Sequence, residues 1–121
     1  MNPNEECWII YGFRFNDDLY GYLAYESEGG FASVDFDWRK IFKNKDKIIG
    51  FNHTHPGMSN LPSDIDEVTM IGWVKALGKP LICGIKGDTQ AMYLYERCSD
   101  KKVRWHLVPF KRVGNFIKIR I

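Results

Sequence analysis

The chain has 121 residues, of which 45% are hydrophobic and 15% aromatic, and its formal net charge is +2. These values predict one globular domain, residues 1–121, and exclude a disordered chain. A charge so close to zero argues against a nucleic-acid partner, and no apolar run is long enough to span a bilayer. The three scattered cysteines lack C-x-x-C spacing, which predicts reduced thiols in a cytoplasmic protein.

The first half of the chain predicts a series of strands. β-branched and aromatic residues are typical of strands at Cys7–Phe15, Leu19–Tyr25 and Phe31–Phe36. The polar, lysine-rich stretch Trp38–Lys47 fits either a short helix or a loop. Lys47–His55 is apolar up to a pair of histidines and predicts a central strand.

The hydrophobic period changes in the second half of the chain. Apolar residues at near-helical spacing follow Ser63, and Gly78 before Pro80 ends the predicted helix. Further strands are predicted at Leu81–Ile85, Ala91–Glu96, Val103–Val108 and Phe116–Ile121. Together these elements predict an α+β or α/β sandwich, with a mainly antiparallel, mixed sheet and one well-defined helix after the histidine pair.

The most informative motif is H-x-H-P-x6-S-x2-D, which begins at His53. Residues i and i+2 of a strand point to the same face, so the imidazoles of His53 and His55 can reach one ion. Asp66, in the first turn of the following helix, adds a carboxylate. Two histidines and one carboxylate leave the fourth position of zinc open, as in catalytic sites. The motif therefore predicts one zinc ion per chain, bound by His53, His55 and Asp66.

A structural role also explains parts of this motif. Ser63 and Asp66 fit a helix N-cap with an acid at the third helical position, where acids are favoured in any case. The coincidence of histidine pair, proline, serine and aspartate favours the metal site over chance. The two roles are compatible, because a serine can cap a helix and still face a reaction.

The motif resembles the signature of the JAMM, or MPN-plus, zinc metalloproteases, whose JAB domains remove ubiquitin or ubiquitin-like proteins from lysines. The resemblance covers Glu5–Ile85 and is closest to compact prokaryotic-type members. It implies a cytidine-deaminase-like MPN/JAB fold and a zinc metallo-isopeptidase that attacks its substrate with a zinc-activated water. The family's upstream strand, E-x-x-G-x-x-x-G, matches from Glu5, with Trp8 in place of the first glycine.

The resemblance also implies roles for individual residues. Glu5 would act as general base and then general acid, with Asp18 as the rival because Gly21 follows it at the expected offset. Ser63 would stabilise the oxyanion. The implied partner is a ubiquitin-like protein or its conjugate, whose C-terminal tail binds as an added strand. A partner subunit or a homo-oligomer is also compatible with the family.

Three alternatives remain open from the sequence. RadC-like proteins share a related motif with Pro62, Ser63 and Asp66, which allows a DNA-associated role, although the near-neutral charge argues against strong phosphate binding. MPN relatives without catalysis act as scaffold modules. A cysteine hydrolase would use one of the three thiols, which are Cys7, Cys83 and Cys98.

Overall fold

The computed structural model describes residues 6–22, 38–55 and 59–121, without the side chains of Trp38 and Lys40. Within these ranges, half of the residues are in strands and about a fifth are in helices. The strands are β1 Cys7–Phe15, β2 Asp18–Tyr22, β3 Ile48–Thr54, β4 Leu81–Lys86, β5 Gln90–Arg97, β6 Val103–Leu107, β7 Phe110–Val113 and β8 Phe116–Arg120. The helices are α1 Trp38–Lys43 and α2 Asp64–Leu77.

The eight strands form one sheet in the order β6-β5-β4-β3-β1-β2-β8-β7. Neighbouring strands are antiparallel except for β3 and β4, which are parallel because α2 connects them as a crossover. This crossover carries the chain from the end of β3 over one face of the sheet, where α2 packs on β4 and β5. The end of β3 and the start of α2 therefore lie at the same edge of the sheet.

One face of the sheet is covered by α2. The buried apolar residues of this sheet face occupy alternate positions along the strands, as in any sheet with one buried face. They contact the apolar side of α2. Phe51 of β3 packs on Trp73 of α2 with ring centroids 5.2 Å apart. Tyr93 and Tyr95 of β5 belong to the same cluster. This packing fixes the distance between β3 and the first turn of α2.

The opposite face is closed by the sheet itself. Ile117 and Ile119 of β8 share a buried cluster with Ile82 of β4 and Met92 of β5. In a flat sheet β4 and β8 would lie about 19 Å apart, at roughly 4.8 Å per strand. Their contact requires the sheet to curl into a half-barrel. The link between β6 and β7 contacts both β5 and β8. The Val108 N–H donates to the Met92 carbonyl of β5 (2.9 Å), and the Pro109 carbonyl accepts from the Arg120 N–H of β8 (3.0 Å).

The predicted α/β sandwich with a cytidine-deaminase-like MPN/JAB fold is therefore wrong. The described chain is mainly β, and its second face is covered by curling of the sheet rather than by helices. Curling depends on which distant strands meet, and the hydrophobic pattern of a single strand does not report that. The prediction also lacked β7.

Most individual elements were predicted correctly despite the wrong fold class. The predicted strand Cys7–Phe15 is confirmed, and the helix after Ser63 ends at Leu77 as expected. Trp38–Lys47, whose sequence fits either a short helix or a loop, contains a short helix followed by turns. The predicted strand Phe31–Phe36 lies outside the described residues. Among those residues, no helix is both long and apolar enough to cross a membrane.

Candidate metal centre

Two histidines lie at the end of the central strand β3. His53 is fully buried, opposite Cys7 of β1 on one side and Ile85 of β4 on the other. His55 follows the last residue of β3, and its backbone N–H donates to the Lys86 carbonyl at 2.8 Å. Because the strand geometry continues to His55, both imidazoles lie on the α2 side of the sheet.

The carboxylate of the cluster comes from the first turn of α2. Ser63 is the N-cap, and its Oγ accepts a hydrogen bond from the Asp66 backbone N–H at 3.1 Å. The Ser63 backbone N–H donates in return to Asp66 Oδ2 at 3.0 Å, which completes a capping box. Asp66 is only 3% exposed, since this turn faces the sheet. The cap thus fixes the orientation of the carboxylate.

The three side chains converge on one point. His53 Nε2 lies 3.0 Å from His55 Nε2 and 3.1 Å from Asp66 Oδ1, and His55 Nε2 lies 3.3 Å from Asp66 Oδ2. In a tetrahedral zinc site with bonds of ~2.0–2.1 Å, neighbouring ligand atoms are roughly 3.3–3.4 Å apart. The observed spacings are close to that value. The buried His-His-Asp group could therefore hold a metal ion.

The protonation pattern of His55 suits metal binding. Its Nδ1 lies 3.1 Å from the carbonyl oxygen of Ser59, which can only accept a hydrogen bond. Nδ1 is therefore the donor to this carbonyl, and Nε2 is the ring nitrogen that faces the cluster. Ligating histidines commonly have such a partner behind them, which fixes both the tautomer and the orientation of the ring.

Electrostatics keep Asp66 in its charged form. Burial acts to raise the pKa of Asp66, but the hydrogen bond and the charge of His53, the Ser63 backbone N–H and His55 together outweigh it. The pKa of Asp66 is therefore lowered from its ordinary value. A deprotonated carboxylate is the form that binds a metal ion.

The other predicted catalytic residues differ in where they lie relative to the cluster. Ser63 lies beside Asp66, and among the described residues its Oγ takes part only as the acceptor in the cap. Glu5 lies outside the described residues. The rival Asp18 pairs with Phe15, about 26 Å along β1 from the His53 end at ~3.3 Å per residue, and its carboxylate lies 3.5 Å from Lys118 Nζ. Asp18 therefore cannot serve this cluster.

The cysteine alternative receives no support from the site. Cys7 and Cys83 are fully buried, and burial raises the pKa of Cys83 well above its usual range, with Asp66 and Cys7 adding to the effect. A buried, protonated thiol is a poor nucleophile. Within the part of the chain that the structure describes, neither thiol belongs to the metal-binding group.

Sequence reasoning missed the loop that lies behind His55. Ser59 contributes through its backbone carbonyl, and a carbonyl has no signature in a sequence. Tyr93, whose hydroxyl donates to the Asn60 carbonyl, looked like an ordinary aromatic residue of a strand. Only the contact between these distant segments reveals their part in the site.

Fold and site together define a mainly β protein with a buried group of two histidines and an aspartate that could hold a metal ion. Comparison with known proteins adds no family to this description, since neither a family model nor a curated protein matches the chain.

Proposed function

We propose that this protein is a zinc-dependent isopeptidase or peptidase that removes or processes a ubiquitin-like modifier. The convergence of His53 Nε2, His55 Nε2 and Asp66 within hydrogen-bonding distance of one another supports this function most directly. Imidazole and carboxylate ligands suit zinc, and three protein ligands leave a position for water or substrate.

The residues of the chain would divide the chemistry among them. Zinc, when bound, would supply a Lewis acid that lowers the pKa of a coordinated water from ~15.7 toward ~7. The two histidines and Asp66 would hold the ion. Ser63 would donate a hydrogen bond from its hydroxyl to the oxygen of the scissile carbonyl as negative charge develops there.

Glu5 would move the proton from the water to the leaving lysine amine. Its assignment depends on its position in the sequence, directly before Glu6. The Glu6 backbone N–H donates to Thr54 Oγ1 at 2.8 Å, and its carbonyl accepts from the Thr54 N–H at 2.9 Å. Thr54 lies between the two histidines. These bonds fix the backbone of Glu6 beside the cluster, and Glu5 is the acidic residue directly before it.

The tail of a ubiquitin-like protein would bind as an added strand at β6. Among the described strands β6 is an edge of the sheet, and it carries no proline that would prevent pairing. Leu107, at its metal-site end, is 63% exposed and lies opposite Tyr93 of β5. Main-chain pairing with β6 would lead an extended tail toward the loop before α2.

The first test is the metal content of the purified protein, measured by mass spectrometry. We expect about one zinc per chain in the wild type and none in His55→Ala. A wild-type protein that contains no zinc after reconstitution would overturn the proposal that it is a zinc hydrolase. The second test is cleavage of a ubiquitin-like protein fused through its C-terminal tail to a reporter, with Glu5→Gln as the inactive control. A protein that binds zinc and cleaves neither linear nor isopeptide fusions would be a scaffold module instead.

A further inference from the structure

Building on the proposed zinc site, we infer that Tyr93 is a positioning residue for the metal centre. Its hydroxyl holds the loop at residues 59–62, and this loop presents the carbonyl that orients His55. Tyr93 does not belong to the His-His-Asp group itself. It acts through two intermediates, the Asn60 and Ser59 backbone carbonyls.

The contact from Tyr93 to the loop is short and sheltered. Tyr93 is 3% exposed, and its hydroxyl donates to the Asn60 carbonyl oxygen at 2.8 Å. Burial, with a smaller contribution from Cys83, raises the pKa of Tyr93. The phenol therefore stays protonated and remains a donor. The hydrogen bond ties the loop to the central part of β5.

A second set of contacts holds the same loop from the turn before β5. Asn60 Nδ2 donates to Thr89 Oγ1 at 2.9 Å and to the Thr89 carbonyl at 3.3 Å. Within the loop, the Leu61 N–H donates to Ser59 Oγ at 3.1 Å. Asn60 is thus held through both its backbone and its side chain, and Ser59 is its immediate neighbour.

His55 needs this support more than His53 does. The His53 side chain is fully buried within the sheet, so packing fixes its ring, whereas the His55 side chain is 15% exposed beyond the end of β3. The bond from His55 Nδ1 to the Ser59 carbonyl restrains the exposed ring. Movement of Ser59 would free the ring to rotate and to change its tautomer, which would weaken the metal site.

The chain offers a matched pair of variants for the test. Tyr93→Phe removes the hydroxyl that holds the loop. Tyr95→Phe removes a buried hydroxyl two residues later, on the same face of β5, which has no hydrogen-bond partner among the described residues. Both variants keep the aromatic ring, so cavity effects cancel. Thr89→Val, at an exposed turn, weakens the second anchor without touching the core.

We expect Tyr93→Phe to bind zinc about 10-fold more weakly in competition with a chromophoric chelator, the loss typical for a group behind a metal ligand. Thr89→Val should shift the affinity in the same direction, and Tyr95→Phe should leave it unchanged. Nitrogen NMR of the metal-free protein at neutral to mildly alkaline pH should show the His55 proton on Nδ1 in the wild type and a mixture of tautomers in Tyr93→Phe.

Two results would overturn the inference. One is a Tyr93→Phe affinity and tautomer equal to the wild type, and the other is equal weakening by Tyr95→Phe. These outcomes are separate from failure of the proposed function. A wild type that binds zinc but cleaves no ubiquitin-like fusion would contradict the proposed isopeptidase activity. It would not affect the inferred role of Tyr93. If no zinc binds, the tautomer measurement still decides whether Tyr93 orients His55.

Discussion

Ser63 and Asp66 hydrogen-bond to each other in both directions, so the cap of α2 and the carboxylate of the His-His-Asp group are one structure. Asp66 satisfies a backbone donor at the helix start with one oxygen while the same carboxylate reaches both histidines. The capping interpretation and the metal interpretation of this motif are therefore not rivals. Folding of the first turn of α2 completes the group that could hold a metal ion.

Two substitutions of Ser63 separate capping from chemistry. Ser63→Ala should lower the free energy of unfolding by about 1 kcal/mol, whereas Ser63→Gly should cost only a few tenths, because glycine is a tolerable N-cap. Both remove the hydroxyl, so under the proposed function both should slow hydrolysis ~10²–10³-fold. Zinc binding should persist in both, since the backbone N–H at position 63 still holds Asp66. A Ser63→Gly protein with wild-type turnover would leave Ser63 as a cap alone.

Zinc should stabilise the folded protein by mass action. At a free zinc concentration 100 times the Kd, the expected gain in unfolding free energy is about 2.7 kcal/mol, seen as a rise in Tm that a chelator reverses. His55→Ala should show no such rise. His106→Ala is the control, since His106 lies exposed on β6 and outside the cluster. An equal zinc-dependent rise in His55→Ala would place the binding elsewhere.

The metal-free protein should lose stability in acid partly through Asp66. Its pKa is lower in the fold than in the unfolded chain, so its contribution is fully present above the unfolded value, near 4, and is lost as the pH falls through the folded value. Asp66→Asn should flatten this part of the stability profile. Asp64→Asn, at an exposed position of the same turn, is the control substitution. Denaturant titrations between pH 2 and pH 6 with identical slopes for wild type and Asp66→Asn would contradict the assignment.

A pair of glycine substitutions should change stability in opposite directions. A Cβ at Gly50 of β3 would collide with the backbone carbonyl of Ile82 on β4, which cannot rotate away. Gly50→Ala should therefore cost roughly 1–3 kcal/mol. Gly72 lies on the open side of α2 with no atom near its missing Cβ, so Gly72→Ala should add about 0.5–1 kcal/mol. Denaturant unfolding of both variants measures the difference, and equal stabilities would disprove the close approach of β3 and β4.

Thiol labelling tests the cysteine alternative. Iodoacetamide reacts with accessible thiolates, and only Cys98 is partly exposed, while Cys7 and Cys83 are buried. Mass spectrometry should find one label on the native protein, none on Cys98→Ser and three on the denatured wild type. Rapid labelling of Cys83 in the native state would instead support the hypothesis of a cysteine hydrolase.

The candidate site was predictable because its signals are local. The i, i+2 spacing of His53 and His55, the N-cap at Ser63 and the left-handed C-cap at Gly78 each depend on a few consecutive residues. The closure of the sheet was not predictable for the opposite reason. The alternation of Ile117 and Ile119 correctly marks a strand, but it does not say that this strand pairs with β2 or folds back over Met92.

The pairing of β2 with β8 also governs how this chain must fold. Asp18 meets Arg120, roughly a hundred residues later, so the three strands of the sheet beyond β1 cannot assemble until distant parts of the chain have met. A native state so rich in non-local contacts has high contact order and should fold slowly. Until β8 arrives, β2 presents an unpaired edge, which is the surface through which partly folded copies would associate.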